Sequence, residues 1–166
     1  NRPNGLTYHD GALYISGGSF IYRLRDGELV TLVDDLPDSG GFWTGDVVIG
    51  PDERLYVATG APCNLCESND PARGAILSYA LDGSDPQIVA TGLRQPNDLA
   101  FINGDLWVTD TARDGLFDVA DLDELIGGQV GEHLPGVAGW PIYFEPRNTD
   151  CVAQANFPSK RAGSEA

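Results

Sequence analysis

The sequence predicts an all-β fold, and three observations carry that expectation. Glycine and proline are abundant, 21 and 11 of 166 residues, which suits many turns and short strands rather than long helices. A strand–turn–strand unit recurs three times along the chain. Its turns carry Asp-Gly, Asn-Gly or Pro-Asp, residues that fit tight hairpins.

The repeat sets the architecture. Its first copy runs over 4–16, with Asp10-Gly11 at the turn and Leu13-Tyr14-Ile15 after it. The second runs over 46–58, turning at Pro51-Asp52 before Leu55-Tyr56-Val57. The third runs over 98–110, turning at Asn103-Gly104 before Leu106-Trp107-Val108. Leu13, Leu55 and Leu106 align, at spacings of 42 and 51 residues. A period of about 40–50 residues, with several strands per unit, is that of a β-propeller blade.

Further strand pairs complete the first two units. They are 20–24 and 29–33 around Asp26-Gly27, then 75–80 and 87–90 around Asp82-Gly83. The second unit also contains a long loop over 60–74, and loops on one face of a propeller build its ligand site. Beyond Arg113 the strand pattern fades, so 116–125 reads as an acidic helical turn and 127–139 as a glycine-rich loop. The organisation expected is a partial β-propeller over 1–145, with blades at about 4–38, 44–93 and 96–145 and an irregular tail over 146–166. About three blades fall short of a closed ring. Open blade faces in turn predict packing against remaining blades or self-association.

Charge narrows the partners. Ten Lys and Arg against 25 Asp and Glu give a net charge of -15, and the pI is near 4.1. Phosphate binding needs a basic face, so nucleic acid is excluded as a partner, and docking on anionic lipid is disfavoured in the same way. No apolar run approaches the ~18 residues of a membrane span. Hydrophobic residues make up 42% and charged residues 21%, a composition for a packed core. The chain has no Met and opens at Asn1, so a processed or trimmed N-terminus is expected, with any export signal outside this sequence.

Few constellations carry chemistry. Cys63-x-x-Cys66 stands with Cys151 far away; zinc needs four ligands, and no second pair lies at a fitting spacing. The flanks read as a loop rather than a redox strand–helix junction. A small-loop disulfide of an exported protein, or two incidental thiols, are the readings left. There is no Gly-x-Ser-x-Gly; His9 falls at a hairpin and His133 in a Gly/Pro loop. Gly45-x4-Gly50 lacks the Lys-Ser/Thr of a phosphate loop. Asp118, Asp121, Asp123 and Glu124 do not match a helix-loop-helix calcium loop, so a solvated acidic face is expected there.

One stretch is more specific. Leu93-Arg94-Gln95-Pro96-Asn97-Asp98-Leu99-Ala100-Phe101, followed by Leu106-Trp107-Val108-Thr109-Asp110-Thr111-Ala112-Arg113-Asp114 and Gly139-Trp140-Pro141, resembles the glucose/sorbosone dehydrogenase family. Val48-Ile49-Gly50-Pro51-Asp52, Cys63-Asn64-x-Cys66 and Arg73-x-Ala75-Ile76-Leu77 add to the likeness, which holds in order from about 39 to 141. The resemblance implies a six-bladed propeller, of which this chain spans about half, that oxidises sugars with pyrroloquinoline quinone (PQQ) and calcium. Arg94 then matches the arginine beside the quinone carbonyls, where a fixed cation stabilises charge as hydride arrives. Gln95 stands beside it as a hydrogen-bond donor to the cofactor. Ala112 and Arg113 match residues whose backbone carbonyls bind calcium. The periplasm or the cell exterior is the location implied.

The departures are equally definite. Phe42, in Gly40-Gly41-Phe42-Trp43-Thr44-Gly45, occupies the position of the family's His base, and Phe accepts no proton. Thr111-Ala112 replaces an Asn-Gly after Asp110, and Tyr143 replaces a Cys. The family's Lys and Arg groups for the quinone carboxylates lie in later blades, beyond this sequence. Two other readings follow. A non-catalytic propeller binds sugars or a partner, with Phe42 and Trp43 as a stacking platform. A gluconolactonase-like hydrolase instead uses Asn97 and Asp110 as metal ligands to activate water.

Overall fold

The computed structural model describes residues 2–38, 40–64 and 68–111, and the backbone of 124–129. Three antiparallel sheets account for them. The first contains β1 (Gly5–His9), β2 (Ala12–Gly17), β3 (Phe20–Arg25) and β4 (Glu28–Val33), hydrogen-bonded in chain order. The second contains β5 (Val47–Ile49), β6 (Arg54–Thr59), β7 (Ala75–Ala80) and β8 (Gln87–Thr91), again in chain order. The third contains β9 (Pro96–Ile102), β10 (Asp105–Asp110) and β11 (Glu124–Gln129), with β10 central. No helix occurs among the described residues, so none is long and apolar enough to cross a membrane.

Turn chemistry closes the hairpins as the sequence predicts. Asp10 and Gly11 take φ of 43° and 77°, Asp26 and Gly27 take 51° and 80°, and Asn103 and Gly104 take 54° and 89°. Positive φ at both central residues matches the right-handed twist of the flanking strands. The Pro51-Asp52 turn differs: Glu53 N–H donates to Gly50 C=O at 3.0 Å, and Gly50 N–H donates to Arg54 C=O at 2.9 Å. It is a three-residue loop with Glu53 left-handed, at φ 59°.

Alternation along each strand gives every sheet a rear face and a forward face. The forward face of the first sheet, with Ala12, Tyr14, Ile21 and Val33, packs on the rear face of the second, with Val47, Leu55, Val57, Leu77 and Tyr79. The forward face of the second sheet, with Tyr56, Ala58, Ile76 and Ala90, packs on Leu99, Leu106 and Val108 of the third. Tyr56 meets Phe101 edge-on across that contact, with ring centres 5.0 Å apart. First strands lie side by side, β1 against β5 and β5 against β9. Antiparallel meanders stacked face to face around their first strands are the architecture of a β-propeller.

One reading is corrected. The glycine-rich loop expected over 127–139 begins as strand: Gly127, Gly128 and Gln129 belong to β11, paired with Trp107, Leu106 and Asp105. Glu124 and Leu125, expected in a helical turn, belong to the same strand. Ladder hydrogen bonds use backbone groups, which glycine has like any residue, so pairing survives where the side-chain signal is absent. The rest of 112–166, including the expected tail, lies outside the described residues.

The packing makes a contrast testable. Leu55 is fully buried between the first two sheets, whereas Ile88 on β8 is 43% exposed. Leu55→Ala is expected to lose about 2–5 kcal/mol, and Ile88→Ala less than about 0.5 kcal/mol, as read from urea midpoints.

Candidate functional site

At one end of the sheets, three segments with no common strand come together. They are the link 40–46 leading into β5, residues 60–64 and 68–74 of the loop after β6, and residues 93–95 leading into β9. Asp110, at the end of β10, organises the third. Its carboxylate accepts the N–H of Arg94 at 2.9 Å and that of Gln95 at 2.7 Å, while Thr111 N–H donates to Gln95 C=O at 3.1 Å.

Arg94 spans the three segments. Its Nε donates to Asn64 Oδ1 in the loop at 2.9 Å, and Nη1 donates to Thr111 C=O at 3.1 Å. The guanidinium lies over the Phe42 ring, 4.1 Å from its centre, within range for cation–π attraction. Ala61 fixes the spacing: its N–H donates to Arg94 C=O at 2.7 Å, and its C=O accepts Phe42 N–H at 2.9 Å.

A second arginine secures the link from behind. Arg73 is buried, and it donates from Nη1 to Pro37 C=O at 2.9 Å and from Nη2 to Gly40 C=O at 2.5 Å. A weaker bond reaches Ala61 C=O at 3.3 Å. Backbone carbonyls hold this cation, and its Nε makes no hydrogen bond among the described residues. Gly60 completes the fit, because a Cβ there would stand 2.5 Å from that of Phe42.

The structure therefore brings together Arg94, Gln95 and the position of Phe42, which the sequence separates by more than fifty residues. Gln95 is buried and bonds through its backbone. Ala112 and Arg113, expected at calcium, lie outside the described residues, as do Cys66, Cys151, His133, Trp140, Tyr143 and the acidic side chains over 118–124. Cys63 is disulfide-bonded, which favours the disulfide over incidental thiols at that residue. His9 sits at the opposite end of the strands, its Nε2 2.9 Å from Glu53 Oε2. No group of three or more His, Cys, Asp or Glu among the described residues is arranged to hold a metal. Asn97 and Asp110 are engaged elsewhere: Asn97 Nδ2 donates to Thr111 Oγ1 at 2.7 Å, and Asp110 receives the backbone donors already described.

Asp46 is a feature that sequence reasoning missed. Its carboxylate accepts Val47 N–H at 2.8 Å, Leu99 N–H at 3.4 Å and the N–H of Leu6. These donors belong to β5, β9 and β1, so one side chain ties the first strands of all three sheets. Burial, opposed by those donors and aided by the nearby charge of Asp98, pushes its pKa above the ordinary 3.8. One Asp before a strand, among 25 acidic residues, gives no signal in a sequence.

Comparisons with known proteins bear on the fold. No family model matches the chain, and no curated protein matches it. Among solved structures it is similar to a chain of a nidogen/laminin complex, with 19% identity and a TM-score of 0.56 over 76% of this chain and 44% of that one. It also matches a protein described as a putative oxidoreductase (glucose dehydrogenase) from Thermus thermophilus, with 19% identity and a TM-score of 0.48 over 92% and 70%. These are likenesses of fold. The chain spans less than half the length of the first.

The raised Asp46 pKa fixes the sign of a pH effect. A carboxylic acid whose folded pKa exceeds its unfolded value binds more protons folded, so its contribution falls as pH rises through that window. Asn carries no such charge. The stability of Asp46→Asn relative to the parent is expected to improve between about pH 3.5 and 7. Urea midpoints of both chains across that range measure it.

Proposed function

We propose that the Arg94–Phe42 end of this chain is a wall of a sugar-binding site in a sugar dehydrogenase-like propeller, and that it binds without oxidising. The observation that carries the reading is the guanidinium of Arg94 stacked 4.1 Å over the ring that stands at the base position. Sugars present hydroxyls around an apolar ring face, and they suit an aromatic surface beside fixed donors. Trp43, the next residue, is 49% exposed. Asn64 and Arg94 set amide and guanidinium groups at its edge, the kind of polar contact that hydroxyls accept.

The residues at hand do not fit the oxidative half of the reaction the resemblance implies. Removing hydride from a carbinol carbon requires a base for the hydroxyl proton, and Phe42 has none to offer. The carboxylate beside the Arg94 segment, Asp110, is held by two backbone donors. Arg94 itself is directed at Asn64, Thr111 and Phe42. No step through PQQ or calcium follows for this chain. The disulfide at Cys63 supports the periplasm or the cell exterior as its location.

A second reading, the PQQ- and calcium-dependent aldose dehydrogenase, is favoured by one fact. Arg94 and residue 42, which that reaction requires to be neighbours, are neighbours. One set of measurements separates the two. The parent chain is expected to bind aldoses, as followed by tryptophan fluorescence, with Arg94→Ala binding about tenfold more weakly, the equivalent of ~1.4 kcal/mol. With PQQ and calcium it is expected to reduce no dye, and Phe42→His is the variant in which turnover is sought. Dye reduction by the parent would establish the dehydrogenase, and absence of aldose binding would remove the sugar site.

A further inference from the structure

We infer that two copies of this chain associate head to tail, the rear face of the first sheet of each covering the forward face of the third sheet of the other. The inference rests on a correspondence between sheets. Tyr8 pairs with Leu13, and Leu13 with Leu24, across the rear face of the first sheet. Ile49, Leu55 and Tyr79 hold the same register positions on the second sheet, where they pack against the first. Leu6 likewise corresponds to Val47, which is fully buried. The rear face of the first sheet thus repeats an apolar contact surface, yet Leu6 is 62% and Tyr8 70% exposed.

The same logic identifies what covers it. Among the described residues, both inter-sheet contacts set a rear face on a forward face. The aromatic after each aligned Leu marks the forward face: Tyr14 and Tyr56 are buried by the following sheet. Trp107 holds the third such position, paired with Ala100 across the face, and remains partly exposed. Ile102 on that face is 52% exposed. The described residues therefore leave one rear face and one forward face open, complementary in kind.

A contact of this type is heterologous, and two of them related by a two-fold axis close on themselves. Counting the described sheets, the product has six in a stack, within the four to eight of closed propellers. Area suffices. A four-stranded face of six-residue strands measures roughly 20 by 20 Å at ~4.8 Å between strands and ~3.3 Å per residue. Two contacts, counted on both partners, cover about 1,600 Å², the size of a stable interface.

Sedimentation of the 166-residue chain and two charged variants tests this. The parent is expected at twice its 17.7 kDa mass. Tyr8→Lys and Ile102→Lys change exposed side chains on opposite faces, so each is expected to keep the parent far-UV spectrum and dissociate at least tenfold more readily. Mixed together, they are expected to form a heterodimer, because one intact rear-to-forward contact survives in the mixture. A parent that stays monomeric at about 100 μM, well above the Kd of ordinary specific complexes, overturns the inference. So does a dimer indifferent to Ile102→Lys, which would be face-to-face, or an open series of larger species. Failure of the mixture to pair has the same force. None of these readouts involves sugar, so they stand apart from the test of the binding site.

Discussion

A short sheet has two apolar faces and can cover neither by itself. Among the described residues the first sheet is covered by the second and the second by the third, with Tyr14 and Tyr56 driven into the following layer and Leu55, Val57, Leu99 and Val108 received from it. Burial at this scale is the main favourable term in folding, and here it operates between repeats rather than around one centre. What the stacking leaves at the strand ends is a set of links and loops outside the sheet ladders.

That surplus is what makes the site. The link 40–46 and the described residues of the loop after β6 cannot rely on sheet ladders, so side chains and a few backbone bonds secure them. Arg73 does so through three carbonyl oxygens, and Ala61 joins Phe42 to Arg94 through its two backbone groups. An arginine held by carbonyls keeps its full positive charge, which adds a positive contribution near Arg94 in a chain of net charge -15.

The strands up to Asp110 were legible because a propeller repeats itself. The Leu-aromatic-β-branched step after each turn is written three times, and the turn residues name their own geometry. Legibility stopped at β11, where Gly127 and Gly128 form ladder bonds without any side-chain pattern. It stopped again at the site. Arg94 and Phe42 were each marked by resemblance, but their contact is a product of tertiary packing, as is the buried environment of Arg73. Asp46 was invisible for a simpler reason: its partners are backbone N–H groups, which every residue but proline has.

The Asp46 carboxylate has a consequence for how the chain comes apart. Stacked repeats that touch only their neighbours tend to fray from the ends, one unit at a time. Here one half-buried acceptor is shared by the first strands of three sheets. Lifting the first sheet away strands the donor of Leu6, and lifting the third strands that of Leu99, in each case beside a charge already short of solvent. Exchange of those two amides with solvent is thereby bound to the same opening event, although they lie 93 residues apart in the chain. A repeat architecture with a shared acceptor at its axis opens as one body, from the hub outward.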